Sequence, residues 1–149
     1  MSANKLDAAS QRQLDIWSEG YCEYCKFPEA YASGYFHNEH IRPQSKGGLK
    51  ELMNIARACD HCNQAKSNHT TGFDPQTGEE VPLFHPRRQE WTDHFRWSDD
   101  LRAILGRTPT GRATVEAMHL NRTSVMNIRR VTMGEEHPPP GTVLKEDES

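Results

Sequence analysis

The stretch that decides the reading is Cys22-Glu23-Tyr24-Cys25, followed after 33 residues by Cys59-Asp60-His61-Cys62-Asn63. Two residues between cysteines let both sulfurs of a pair turn toward one ion, and two such pairs supply the four thiolates of a tetrahedral zinc site. The long gap exceeds that of a common zinc finger, so the ion would clip a whole subdomain together. Two disulfides are the alternative. They are disfavoured because all four cysteines fall into two matched pairs and the chain is expected in the cytosol. A redox pair is weaker still, since no βαβ pattern surrounds either motif. A closed four-thiolate site has no position left for substrate, so any chemistry must come from the residues between the pairs.

Those residues read Phe36-His37-Asn38-Glu39-His40-Ile41-Arg42-Pro43-Gln44-Ser45-Lys46-Gly47-Gly48, with Asn54 further on and Asn63-Gln64-Ala65-Lys66 after the last cysteine. Phosphodiester hydrolysis needs a base for water, a cation for the phosphate charge and a rigid frame. His40, ordinarily near neutrality, suits the base. Residues adjacent on a strand face opposite ways, so Glu39 and His40 serve one site only if the strand ends there, and Pro43 with Gly47-Gly48 marks such an end. The pattern predicts a strand pair within 31–41 and a loop entering a helix over 49–68, in the order β, β, α.

In this order and spacing the segment 21–68 resembles the HNH endonucleases, in the zinc-stapled branch with C-x-x-C, an acidic-His-Ile-x-Pro segment, a Gly-Gly loop, a middle Asn and C-x-x-C-Asn-x-x-Lys. The stretches Pro82-Leu83-Phe84-His85-Pro86-Arg87 and Gly111-Arg112-Ala113-Thr114 also look like the continuation in small bacterial HNH proteins. The resemblance implies an α+β fold, a small zinc-stapled ββα-metal core with an N-terminal helix, a C-terminal β-hairpin and helices. It implies structural zinc on Cys22, Cys25, Cys59 and Cys62, His40 as general base, and Asn54 as the residue that ties the loop and orients the base. It further implies a catalytic divalent ion on Glu39 and Asn63, where the amide oxygen of Asn63 favours Mg2+ or Mn2+. Lys66, Arg42, Arg87 and Arg88 are the expected phosphate contacts, and the expected partner is double-stranded DNA. A zinc module that binds without cutting, and an HNH nuclease acting on RNA, are the competing readings.

Outward from this segment, residues 1–20 carry a sparse helical repeat at Leu6, Leu14 and Trp17 that stops at Gly20. Residues 71–133 read as a structured extension packing on the core. They comprise turn chemistry at 71–78, a hairpin of Trp91 to Trp97 with Arg102 to Arg107, and helices over 110–121 and 124–132. At 34% hydrophobic and 26% charged, with mean hydropathy -0.88, the 149 residues predict one domain with a small core. No apolar run approaches the ~20 residues of a membrane span, and the expected location is cytoplasmic. The net charge of -3 is misleading by position. Residues 134–149 carry one basic and five acidic groups, whereas 71–133 carry nine basic, all arginine, and eight acidic. The acidic, proline-rich end predicts a disordered tail.

Overall fold

A computed structural model describes residues 5–144, which form two compact units divided between Thr70 and Thr71. In the first, the Asp7 carboxylate accepts from the Ser10 N–H at 2.8 Å and starts α1, Ala8–Ser18. The helix ends as Glu19 and Gly20 both turn left-handed, φ 56° and 83°, at the predicted stop. β1, His37–His40, pairs antiparallel with β2, Ile55–Ala58, in the register His37 to Ala58 and His40 to Ile55. α2, Asp60–Lys66, follows directly.

The order β, β, α and the α+β class are as read, but the strand pair is not contained in 31–41. Its second strand lies in the expected loop, because Ile55, Ala56 and Ala58 are all buried and their small size admits cover on both faces.

The second unit gathers its own buried side chains, among them Phe84, Phe95, Ile104, Met118 and Leu120. β3, Thr71–Phe73, and β4, Glu80–Pro82, form a hairpin whose turn is organised by Asp74. The Asp74 carboxylate accepts from Gln76 N–H and Thr77 hydroxyl, each at 3.0 Å, and from two guanidinium nitrogens of Arg112, each at 2.9 Å. This grip, Arg112 first, holds the carboxyl well below the usual carboxylate range.

α3, Trp91–His94, leads into β5, Phe95–Trp97, which pairs with β6, Ile104–Gly106. The predicted hairpin arm is thus helical in its first half. The register pairs Phe95 with Gly106, the last residue of β6, so nothing remains opposite 91–94 to pair with. α4, Pro109–Ala117, is capped by Thr108, and α5 is Thr123–Val131. At Gly111 a Cβ would stand 2.0 Å from the His94 carbonyl oxygen, so only glycine allows α4 this close.

Aromatic rings fill the core, Trp91 lying 5.2 Å from Phe95 and 5.3 Å from Trp97 between centroids. Arg129 is buried beneath Trp97. It donates to the carbonyls of Arg102 at 2.7 Å and Leu120 at 2.6 Å. Among the described residues no helix is long and apolar enough to cross a membrane.

The predicted disorder from residue 134 does not hold for 134–144, while 145–149 lie outside the described residues. Composition misled here because this segment is anchored by polar atoms. The Trp97 indole N–H donates to Thr142 at 3.0 Å, and the His137 ring meets Trp97 edge-on at 4.5 Å while donating to the Leu101 carbonyl. Ending the chain after Met133 should therefore uncover Trp97 and cost about 2–4 kcal/mol. Thermal melts and a red-shifted tryptophan emission would register it, and an unchanged melt would count against this packing.

Candidate active site

The two cysteine pairs are brought together by different local devices. The first is a tight knuckle in which Lys26 N–H returns to the Cys22 carbonyl at 3.0 Å, with Lys26 left-handed at φ 64°. In the second, Cys59 is the N-cap of α2 and its sulfur accepts from the Cys62 N–H at 3.5 Å. All four sulfurs are buried within 4.8 Å of one another, and Cys25 and Cys59 are 3.7 Å apart. Zinc–sulfur bonds of ~2.3 Å at tetrahedral angles place sulfurs ~3.8 Å apart, against ~2.05 Å in a disulfide. Burial pushes the Cys22 thiol up, and hydrogen bonding among the neighbouring thiols, Cys22 first, raises Cys62. Hydrogen bonding from Cys22 lowers Cys59 instead. Four buried sulfurs this close need a cation to carry their charge as thiolates, so the donor set fits structural zinc.

Between the pairs, β1 ends at His40. The side chain of Asn54 closes the loop beyond it, accepting from Arg42 N–H at 2.9 Å and donating to the carbonyls of Arg42 at 3.0 Å and Leu49 at 2.8 Å. Its backbone carbonyl takes the Ile41 N–H at 2.8 Å. The loop folds back so closely that a Cβ on Gly48 would lie 1.7 Å from the Arg42 carbonyl oxygen, which accounts for glycine there.

His40 itself is 7% exposed, and its buried Nε2 has no hydrogen-bond partner among the described residues. Burial, followed by the charges of Lys50 and Lys66, lowers its pKa, so the ring is neutral at neutral pH.

The other predicted site residues divide sharply. Lys66 is corrected as a phosphate contact. It is 1% exposed, with Nζ donating to the carbonyls of Ile41 at 2.5 Å and His40 at 3.3 Å and paired with Glu39 Oε1 at 2.7 Å. Glu39 is 3% exposed, and its second oxygen accepts from the Tyr24 hydroxyl at 2.8 Å.

Asn63 is half-buried one turn before Lys66 on α2, which puts both on the same side of that helix. Arg42 is exposed two residues after His40, its Nε donating to the Lys46 carbonyl at 2.7 Å. Arg87 and Arg88 belong to the second unit, where Arg88 is exposed and burial pulls Arg87 down to about 10. His37 donates to Asp60 at 2.9 Å on an exposed edge.

Two participants were missed in the sequence, Tyr24 and Lys50. Tyr24 sat inside a knuckle that drew attention only to its cysteines. Lys50 adjoins no motif, although its charge is felt at His40.

The comparison with protein families bears on this arrangement. Residues 22–69 match the family model described as HNH endonuclease. Neither the curated proteins nor the solved structures include a match to the chain. The HNH segment begins at the first cysteine and so contains the thiolate cluster, the β1–β2 hairpin and α2 together. The cluster should hold one zinc per chain, and Cys59→Ala should unfold the HNH segment. A four-thiolate site carries ~10 kcal/mol or more of metal-linked folding energy, which a ~5–15 kcal/mol margin cannot spare. Elemental analysis and circular dichroism test this, and zinc-free folded protein or a mutant melting like the parent would contradict it.

Proposed function

We propose that the protein is a metal-dependent endonuclease that hydrolyses DNA phosphodiester bonds with low sequence specificity, double-stranded DNA being the substrate. The observation that carries this reading is the buried, neutral imidazole of His40, whose Nε2 has no partner within the described residues. In this reading Nε2 removes a proton from a water molecule. The water oxygen forms a bond to phosphorus as the bond to the leaving sugar oxygen breaks. Asn54 holds the His40 loop rigid, so the ring need not be ordered at each turnover.

A divalent ion, Mg2+ or Mn2+, would offset the phosphate charge. Asn63 fits as its protein ligand, since the amide has no side-chain hydrogen bond among the described residues and hard cations prefer oxygen. Arg42, Lys46 and Lys50 are exposed on the loop after His40 and suit backbone phosphates. Within the second unit, Arg88 is exposed and Arg87 half-buried, and both remain proposed phosphate contacts. Contacts to backbone rather than base edges carry no sequence information, which is why low specificity follows.

The test is cleavage of supercoiled plasmid under a panel of divalent ions. His40→Ala should keep zinc, fold and DNA binding while cutting ~10²–10⁴-fold more slowly. Because a lowered pKa extends the neutral base to more acidic solution, the parental rate should rise with pH below the ordinary imidazole value of 6.5 and be flat above it. That limb should be absent in the mutant. A folded His40→Ala protein that cuts at the parental rate would reject the mechanism, and RNA cut in preference to DNA would reject the substrate.

A further inference from the structure

The buried pair behind His40 is not explained by the nuclease reading, although the inference drawn from it rests on that reading. Three elements converge on it. Tyr24, fully buried in the first cysteine knuckle, donates to Glu39 Oε2 at 2.8 Å. Glu39, on β1, holds Lys66 of α2 at 2.7 Å through Oε1. Lys66 then donates to the carbonyls of His40 and Ile41, one on each side of the peptide that follows the base.

The Lys66 ammonium donates to both carbonyls and lies 2.7 Å from Glu39 Oε1 as an ion pair, although that oxygen accepts no hydrogen bond among the described residues. Glu39 Oε2 accepts from the Tyr24 hydroxyl. For Glu39 to reach a divalent ion it would have to leave Lys66, stranding a buried ammonium, and admit an ion that sheds its own water reluctantly. A cation approaching Oε1 would also meet a positive charge 2.7 Å from that oxygen.

We propose that Glu39, Lys66 and Tyr24 are positioning residues that fix the His40 backbone, and that Glu39 is not a ligand of the catalytic ion. The chain runs from the zinc knuckle through Tyr24 and Glu39 to Lys66, and ends at the carbonyl of the base itself. It ties the thiolate cluster to the one group whose orientation sets the rate. An Asn63-based site would then bind its ion weakly without substrate, with phosphate oxygens supplying the rest.

The experiment compares Glu39→Gln, Lys66→Met, their double variant and Tyr24→Phe in the full zinc-loaded chain. Free Mn2+ measured by electron paramagnetic resonance should show an affinity in Glu39→Gln within ~2-fold of the parent. Loss of a true ligand or its hydrogen-bonded support costs ~10–100-fold. Each single variant should lower kcat, with KM for plasmid and half-saturating Mg2+ unchanged. The double variant should be no slower than the worse single, as members of one device are not additive. Lys66→Met should leave the salt dependence of DNA binding unaltered, whereas a lost phosphate contact flattens the slope by ~1.

Tyr24→Phe keeps its ring in place and removes one hydroxyl, so it remains informative if the charge variants unfold. A nuclear magnetic resonance measurement needs no cleavage: in every folded variant the His40 ring signals should shift while those of His94, in the second unit, stay put. An inactive parent would reject the nuclease reading alone. Unmoved His40 signals, a ~10-fold loss of Mn2+ affinity in Glu39→Gln, or multiplying losses in the double variant would each overturn this proposal.

Discussion

Four buried sulfurs held within 4.8 Å of one another are the constraint on which the first unit depends. Neither cysteine pair is anchored by a large apolar core, and the segment between them is rich in loops. The second pair doubles as the N-cap of α2, so gathering the sulfurs also fixes where that helix starts. With its start fixed, Asn63 and Lys66 fall on the side of the helix that reaches the end of β1. The distance between the cysteine knuckles and His40 is covered by hydrogen bonds and an ion pair rather than hydrophobic packing, through Tyr24, Glu39 and Lys66. Such a network tolerates little slack, because each buried polar atom left without its partner costs ~1–3 kcal/mol.

What the sequence made legible was whatever depends on short spacing. The cysteine knuckles, the turn chemistry after His40 and the role of Asn54 were readable because each is decided within about a dozen residues. The pairing of Glu39 with Lys66 was not, since one was read as an ion ligand and the other as a phosphate contact, and nothing in the 27 positions between them announces that the fold places them 2.7 Å from each other. The same holds for Arg129, whose carbonyl partners lie on two separate loops. The second strand was missed for another reason. Ala56, Arg57 and Ala58 carry no alternation, because this strand is buried by tight approach on both sides and not by a one-faced apolar stripe.

The second unit shows how a weakly hydrophobic chain can close a core around clustered aromatic rings. Its rings are clustered, but their polar edges are satisfied by residues far along the chain, Thr142 for Trp97 and Thr108 for His94. Arginine serves there as an internal strut as well as a surface charge. Arg112 locks the β3–β4 turn and Arg129 gathers carbonyl groups beneath Trp97, which leaves fewer arginines for phosphate than a count implies. The acid-rich end looked dispensable by composition, yet its first part supplies the partners of Trp97.

The central claim is that the thiolate cluster organises the hairpin that carries His40, while the second unit stands on its own core. Amide hydrogen exchange before and after zinc is withdrawn by a chelator tests it most directly. The account predicts that protection collapses at Ile41 and through β1, β2 and α2, whereas β5, β6 and α4 keep theirs. Protection that persists around Ile41 without zinc, or that is lost equally in both units, would contradict it.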